Sequence, residues 1–528
     1  MRHSPKLLKN PLLLINDVPS MESLKELLLH NILYDPQRPL LFTQAFFWIL
    51  FMIIMLGYSL VYKRIALRNA YLFLFSLYFY YKCGGGYVWL LVISIVATYL
   101  IGIGIYKSKR NWMRRMYVAL SVTVSILLLS YYKYTSFFID IWNHIFHVHY
   151  KVYDYLSFWT NNHFGTHFDI SDIFLPIGIS FFTFQALSYT LDLYRYKTKP
   201  VFNIIDFGFY KSFFPQLVAG PIVRAAEFIP QMYARYSLSN REMGHALFLI
   251  LNGLMKKMII SDYISINFVD RVFDNPLSYS GFENLMSVYG YSLQIYCDFS
   301  GYTDIAIGIA LLLGFRIPIN FNSPYKALNL TDFWRRWHIS LSSWLRDYLY
   351  IPLGGNKKGK VRMYLNLMMT MLIGGLWHGA NWRFIVWGAL HGIGLVFDKL
   401  WKMVFPPANP KWSHHNLFSL FITFQFVSFA WIFFRAKDMQ VAAEMLAQIF
   451  NHFGFQVIPA ITLGYANIFL IILIGYSIHW LPDRIKERYR GWFILTPLYA
   501  KVFIYVMAVF LIVQFKSSVI QPFIYFQF

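Results

Sequence analysis

Two histidines stand in hydrophobic surroundings that give no ordinary reason for an ionisable side chain. His378 closes the apolar run that begins at Val361, within Gly374-Gly-Leu-Trp-His-Gly-Ala-Asn-Trp382. Ionisable groups at membrane depth are costly and tend to face cavities or pathways. On a helix Met371, Gly374 and Gly375 precede His378 on its own face, and Asn381 and Trp382 follow at helical spacing. Small neighbours leave space for a substrate or for a second helix. Gly388 and Gly392 illustrate the helix-packing use of such residues, whereas at His378 function is favoured over packing. A neutral imidazole in a low-dielectric site can take a proton from a hydroxyl, and such general-base help is worth about 10² to 10⁴ in rate. A proton-relay histidine in a transporter looks the same in isolation.

The second histidine, His338, lies in the segment Thr331-Asp-Phe-Trp-Arg-Arg-Trp-His-Ile-Ser-Leu-Ser-Ser-Trp-Leu-Arg-Asp-Tyr-Leu-Tyr350. As one helix this segment places Trp334, Trp337, Leu341, Trp344, Leu345 and Tyr348 on one face, and Arg335, Arg336, Ser342, Ser343, Arg346 and Asp347 on the other. That pattern predicts an amphipathic helix at an interface or cavity wall. His338 falls at the edge of the aromatic face, and from the residues alone the plainer reading is an anchor with one incidental histidine. Trp337, Trp377, Asn381, Arg335 and Arg336 are the candidate substrate contacts around the two histidines.

Other clusters carry less. His144, His147, His149, His163 and His167 crowd one polar loop, but no carboxylate or thiolate arrangement sharpens them into a metal site, and no metal is expected. Asp298 and Asp304 read as members of buried ion pairs or hydrogen bonds, with Arg-rich segments nearby in sequence. Lys357, Lys358, Lys360 and Arg362 form a basic turn of the kind that anchors a cytoplasmic loop. The two cysteines, Cys83 and Cys297, are far apart in apolar sequence, which excludes a disulfide framework and a CxxC metal site. There is no G-x-S-x-G elbow, Walker loop or H-E-x-x-H motif.

The elements that must hold these residues are membrane helices. Of 528 residues 57% are hydrophobic and only 14% charged, too few charges for the surface of soluble domains of that total length. The excess of 47 Lys and Arg over 25 Asp and Glu gives +22. In a membrane chain that excess collects in cytoplasmic loops, and it can also attract anionic lipid or an anionic donor; nucleic acid is not an expected partner. Apolar stretches at 41–62, 87–106, 116–142, 173–194 and onward to 498–520 predict about ten to twelve crossings by the length rule. Basic residues at 63–68, 107–115 and 195–199 place those turns on the cytoplasmic side. Residues 213–221 and 318–324 are apolar but broken by Pro and Gly, so they are expected as re-entrant segments whose backbone is satisfied by protein or by a water-filled cavity. Residues 1–40 are expected as an interfacial segment, and 41–528 as one polytopic domain.

At several of these residues the sequence resembles the membrane-bound O-acyltransferase (MBOAT) family, in its bacterial alginate O-acetyltransferase-like branch. The matching motifs are Leu175-Pro-Ile-Gly-Ile-Ser-Phe-Phe-Thr-Phe184, Phe214-Pro-Gln-Leu-Val-Ala-Gly-Pro221, Tyr296 to Asp304, Asp332-Phe-Trp-Arg-Arg-Trp-His338 running on to Pro352-Leu-Gly-Gly355, and Gly375-Leu-Trp-His-Gly379. The resemblance implies an all-α bundle in the bacterial cytoplasmic membrane, with a central funnel or tunnel reached by acyl donor from the cytoplasm and by acceptor from outside. By motif His378 matches the family's catalytic intramembrane histidine, and His338 its second polar position, usually Asn or His. The implied reaction moves an acetyl group from a thioester, acetyl-CoA or a carrier-bound equivalent, to a hydroxyl of an exported polysaccharide or of a partner. No bound cofactor is implied. An extracytoplasmic SGNH-type transferase and polysaccharide export machinery are the implied partners. D-alanyl transfer to a cell-envelope polymer is the alternative within the family. A proton-coupled transporter or flippase, or a scaffold without chemistry of its own, are the alternatives outside it.

Overall fold

In a computed structural model of the chain, residues 32–36, 38–405, 414–515 and 521–524 are described, and these are helical with no strand among them. The expected interfacial segment at 1–40 lies almost entirely outside the described residues. The helices that matter for the site are α1 (Ala45–Val61), α2 (Ile65–Gly84), α3 (Val88–Lys107), α4 (Asn111–Phe146), α5 (Ile179–Tyr194), α6 (Asn240–Met255), α7 (Gly281–Leu312), α8 (Leu330–Arg336), α9 (Ile339–Leu345), α10 (Lys360–His378), α11 (Trp382–Val404), α12 (His414–Arg435), α13 (Ala466–Trp480), α14 (Asp483–Leu495) and α15 (Leu498–Phe515).

Seven helical runs among the described residues are long and apolar enough to cross a bilayer, and the count is eight if the pair Phe455–Gly464 and Ala466–Trp480, bent by 87°, is one broken span. The chain is thus a polytopic membrane protein. The expected ten to twelve crossings shrink for identifiable reasons. Helix α1 has 17 residues and α5 has 16, both shorter than the ~20 that span the hydrocarbon unaided. Two expected crossings merge in the run Ile65–Lys107, which has 43 residues and would measure about 64 Å at 1.5 Å per residue, twice the hydrocarbon thickness. It is not one straight crossing. Gly85, at φ 58, separates α2 from α3, and both halves grip the same short helix, Ile204–Ser212. Asn69 of α2 donates to Asp206 at 2.9 Å, and Lys211 donates to Thr98 of α3 at 2.9 Å.

Helix α7 is the centre of the bundle, with 83% of its apolar window buried against 6% for the lipid-facing α4. It begins at a capping box formed by Ser280 and Glu283. Asp298 and Asp304 project from it into ion pairs, as expected, but their partners are lysines of one neighbouring turn and not arginines. Lys257 pairs with Asp298 and with Asp262, and Lys256 pairs with Asp304 at 2.8 Å. Cys83 and Cys297 are both buried free thiols. The proline-broken segment at 213–221 contains one turn of helix, Phe214–Leu217, and is buried throughout. Its backbone finds protein partners: the Gln216 side-chain amide donates to Tyr210 O at 2.8 Å, and the Gly220 N–H to Gln216 O at 3.2 Å. Such pairing is what irregular backbone at membrane depth requires.

Candidate active site

His378 is the last residue of α10. The chain leaves the helix at Gly379, whose backbone is extended, and Asn381 then caps α11 by accepting from the Arg383 N–H at 3.1 Å. A helix that ends inside a protein leaves carbonyls without intrahelical partners. Here Tyr134 donates to Leu376 O at 2.8 Å, and Lys133 Nζ donates to Trp377 O at 2.7 Å and His378 O at 3.0 Å. The two donors are adjacent residues of α4. The His378 ring is buried among Trp377, Trp387 and Phe434, at centroid distances of 4.9, 5.1 and 5.0 Å.

The amphipathic helix expected over 331–350 is not continuous. It is broken at Trp337 and His338 into α8 and α9, and Arg346–Tyr350 follows as a wider π-type turn. Trp337 is extended and His338 sits at φ 42 in the left-handed region, a conformation that non-glycine residues adopt at a cost and that Asn, Asp and His tolerate best. The break is held by the segment before it. Ile339 N–H donates to Asn320 O at 3.0 Å, Ser340 N–H to Asn320 Oδ1 at 3.2 Å, and Asn322 N–H to Arg336 O at 3.0 Å. Ser340 Oγ accepts in turn from the Ile222 N–H at 3.0 Å. Both proline-broken segments therefore converge on this kink. The aromatic residues of α8 and α9 still bury, because each short helix keeps its own apolar face, but the kink turns His338 fully inward. Its ring packs on Phe299 at 4.7 Å and faces Trp377 at 6.2 Å. Trp377 thus contacts both histidines.

A cavity of about 420 Å³ opens beside the kink, lined by α8 and α9 on one wall and by α10 and α11 on the other, with neither histidine among its lining residues. Leu367, Thr370 and Met371 line it, and Gly374 and His378 continue the same face of α10 at spacings of four. Met371 and His378 are seven residues apart, a rise of about 10 Å. The glycines of that stretch divide sharply. A Cβ on Gly374 would meet only Leu345 Cδ1, at 3.3 Å, a residue that itself lines the cavity. A Cβ on Gly375 would press into the Phe384 carbonyl and Gly388 Cα of α11. Gly374 keeps the face open, and Gly375 with Gly388 lets the two helices touch.

The candidate substrate contacts separate in the same way. Arg335 is exposed and lines the cavity with Arg346 and Lys399, which gives its mouth three cations. Arg336 turns away and pairs with Asp332 at 3.0 Å. Trp337 is core, packed on Phe333, Phe321 and Trp431. Trp377 touches both histidines, and Asn381 serves as the helix cap. Behind Arg346, Asp347 accepts from it at 2.7 Å and from Arg224 at 2.7 Å; burial alone would raise that carboxyl, yet the two guanidinium bonds hold it below its usual range. The basic turn at 357–362 is solvent-exposed, and no group of three or more His, Cys, Asp or Glu among the described residues is arranged to hold a metal ion.

Two residues near the site escaped sequence reasoning. Lys133 sits in an apolar stretch like that of His378 and carried the same signal, an ionisable group at membrane depth. His391 is fully buried between Trp334 and Trp387, at 5.2 and 4.8 Å, and its ring nitrogens hydrogen-bond to none of the described residues. Lys133, His338 and His391 all lie within electrostatic reach of His378.

The family model of the membrane-bound O-acyltransferases matches residues 75–436, which contain both histidines and the cavity. The peptidoglycan O-acetyltransferase of Helicobacter pylori is 39% identical over 405 residues, covering 71% of this chain and 72% of the relative. A protein of Pseudomonas aeruginosa named as a probable alginate O-acetylase is 38% identical over 421 residues, covering 78% of this chain and 75% of the relative. The teichoic acid D-alanyltransferase of Bacillus subtilis is 30% identical over 283 residues, covering 49% of this chain and 69% of its own length. With the family match running through its core and relatives of this identity along most of its length, the chain belongs to the membrane-bound O-acyltransferase family and is a multi-pass membrane O-acyltransferase.

Proposed function

We propose that the protein transfers an acetyl group from a cytoplasmic thioester, acetyl-CoA or a carrier-bound equivalent, to a hydroxyl on the outer side of the bacterial cytoplasmic membrane. The acceptor is an exported polysaccharide or cell-envelope polymer, reached directly or through an SGNH-type partner transferase working with the export machinery. The observation that carries this reading is the single face of α10 that runs from a cation-rimmed cavity past Gly374 to His378. A basic mouth attracts an anionic donor, and the face beyond it leads an acyl chain to the imidazole. There His378 removes the proton of the acceptor hydroxyl as its oxygen attacks the thioester carbonyl. The C–S bond breaks, the thiolate leaves, and the imidazolium returns the proton to it. His338, across Trp377, positions or polarises the reactants. The relatives named for acetylation are more identical to this chain than the one named for D-alanylation, which favours acetate as the cargo.

The test is the ester content of cell-envelope glycans in cells carrying the wild-type chain or His378→Gln, released by mild alkali and identified. Acetate lost in the variant, with the protein present at normal level in the membrane, is the expected result. Released D-alanine in place of acetate assigns the other cargo. Acetate unchanged by the substitution overturns the role of His378.

A further inference from the structure

The proposed base ends its helix inside the protein, and something other than the helix must fix where that end lies. Helix α4 faces lipid along most of its length, yet Lys133 turns its ammonium inward and donates to the carbonyls of Trp377 and His378, at 2.7 and 3.0 Å. The adjacent Tyr134 holds the preceding carbonyl, Leu376 O, at 2.8 Å. Three successive carbonyls of the last turn of α10 are thus tied to one place on α4. A cation at a helix C-terminus is favourable, but bringing an ammonium to membrane depth is costly, and a hydroxyl such as that of Tyr134 satisfies a carbonyl without that cost. What the lysine adds is a two-point clasp on the residue that carries the base and on the tryptophan that contacts both histidines.

We infer that Lys133 is a positioning residue for acyl transfer: its ammonium clasps the Trp377 and His378 carbonyls and so sets the height and rotation of the His378 and Trp377 rings relative to His338. This rests on the reading of His378 as the base. The clasp acts at the C-terminal end of α10, beyond Met371, the last α10 residue that lines the cavity, so its loss changes turnover and leaves donor capture alone. A misplacement of about 1 Å in such a site costs up to about a hundredfold in rate.

Initial rates of ester formation are measured in membrane vesicles with labelled acetyl-CoA, or with the acyl-loaded carrier protein should wild-type vesicles be inert to acetyl-CoA. The chains compared are wild type, Lys133→Met, Lys133→Arg, Tyr134→Phe and His378→Gln, each normalised to folded protein in the membrane. The expected result is a fall in kcat of about ten- to a hundredfold for Lys133→Met, with donor KM within about twofold. Lys133→Arg, which keeps charged donors, is expected to recover most of that loss, and Tyr134→Phe to fall less than Lys133→Met. If Lys133→Met does not accumulate, the same split is read between Lys133→Arg and Lys133→Gln, the second being the slower. An inactive His378→Gln beside a Lys133→Met with kcat within twofold of wild type overturns this inference and leaves the base in place. A loss confined to KM, or no recovery by Lys133→Arg, also overturns it. An active His378→Gln removes the reading on which it rests.

Discussion

Gly374 and Gly375 are neighbours in sequence, and the structure assigns them opposite duties, so alanine at each separates a path from a packing seam. At Gly375 the new methyl would lie 3.2 Å from Gly388 Cα and against the Phe384 carbonyl, all backbone of α11. Backbone cannot rotate away, so α10 and α11 must part. Overpacking of this kind costs about 1–3 kcal/mol, partly offset by the gain of about 1 kcal/mol for Gly→Ala in a helix. At Gly374 the only atom within 4 Å is the tip of Leu345, at 3.3 Å, and a methyl at the end of a flexible side chain can move by the few tenths of an ångström required. There the helix gain stands nearly alone. Gly375→Ala is therefore expected to be less stable than Gly374→Ala by about 1–3 kcal/mol. Midpoints of thermal or denaturant unfolding in detergent, followed by tryptophan fluorescence, give the order. Activity then separates the path from the seam, because Gly374→Leu fills the face between cavity and base: it is expected to fold and to lose about tenfold or more in ester formation. Equal destabilisation by the two alanines, or full activity of Gly374→Leu in a folded chain, refutes the assignment of that face.

Three further outcomes follow from named contacts. His338→Asn is expected to fold as wild type because Asn accepts the left-handed backbone at φ 42, whereas His338→Val is expected to lose about 1–2 kcal/mol from that backbone alone; unfolding midpoints that rank Val with Asn would contradict this. Lys257→Met leaves Asp298 and Asp262 buried without their shared cation, and breaking a buried pair from one side costs about 3–5 kcal/mol. The yield of folded protein should fall, with part of it regained when Asp298→Asn is added, and a neutral single variant would remove the claim that the network holds α7. At the start of α14, the hydrogen bond from Lys326 lowers the Asp483 carboxyl from its ordinary 3.8. A carboxyl lowered in the folded chain contributes stability above its unfolded value and loses it as pH falls through the folded one. The pair is mostly exposed on the carboxylate side and worth under about 1 kcal/mol, so Asp483→Asn should lower the unfolding midpoint slightly at pH 7 and by progressively less as pH falls below 3.8.

How far the site was legible depends on whether a residue's duty is local. Asp298 and Asp304 could be read as ion-pair members because a carboxylate in apolar sequence has few other fates, but their partners Lys257 and Lys256 lie more than forty residues earlier and nothing local names them. The crossing count was overestimated for a related reason. A hydropathy run records the length of apolar sequence, whereas α5 is a short helix buried inside the bundle and α1 a short one at its edge, with only Phe47, Phe51 and Tyr58 buried. His378 was legible because its signal, an imidazole among glycines at the end of an apolar run, is contained within one helix. Lys133 carried the same kind of signal, and its meaning became visible only with the carbonyls it meets 244 and 245 positions away.

His338 shows the deeper limit. The periodicity over 331–350 is real, and the faces it predicts do bury: Trp337, Leu341, Trp344, Leu345 and Tyr348 are all in the core. A helical wheel assumes unbroken rotation, however, and at Trp337 the rotation stops because Asn320 offers a carbonyl and a side-chain oxygen to the two N–H groups that a new helix start leaves open. On a continuous helix His338 would stay at the edge of its aromatic stripe. With the kink it becomes the residue before a helix, just as His378 is the last residue of one. Rings placed at helix ends point along directions that a helix interior does not offer, and that is how two histidines from separate segments come to meet the same Trp377 ring. The Pro- and Gly-broken segments at 213–221 and 318–324 therefore have a definite part in the site. They supply the hydrogen bonds that make the kink affordable at membrane depth, through Asn320 directly and through Ile222 onto Ser340, and a chain that straightened them would keep its apolar faces and lose the approach of His338 to Trp377.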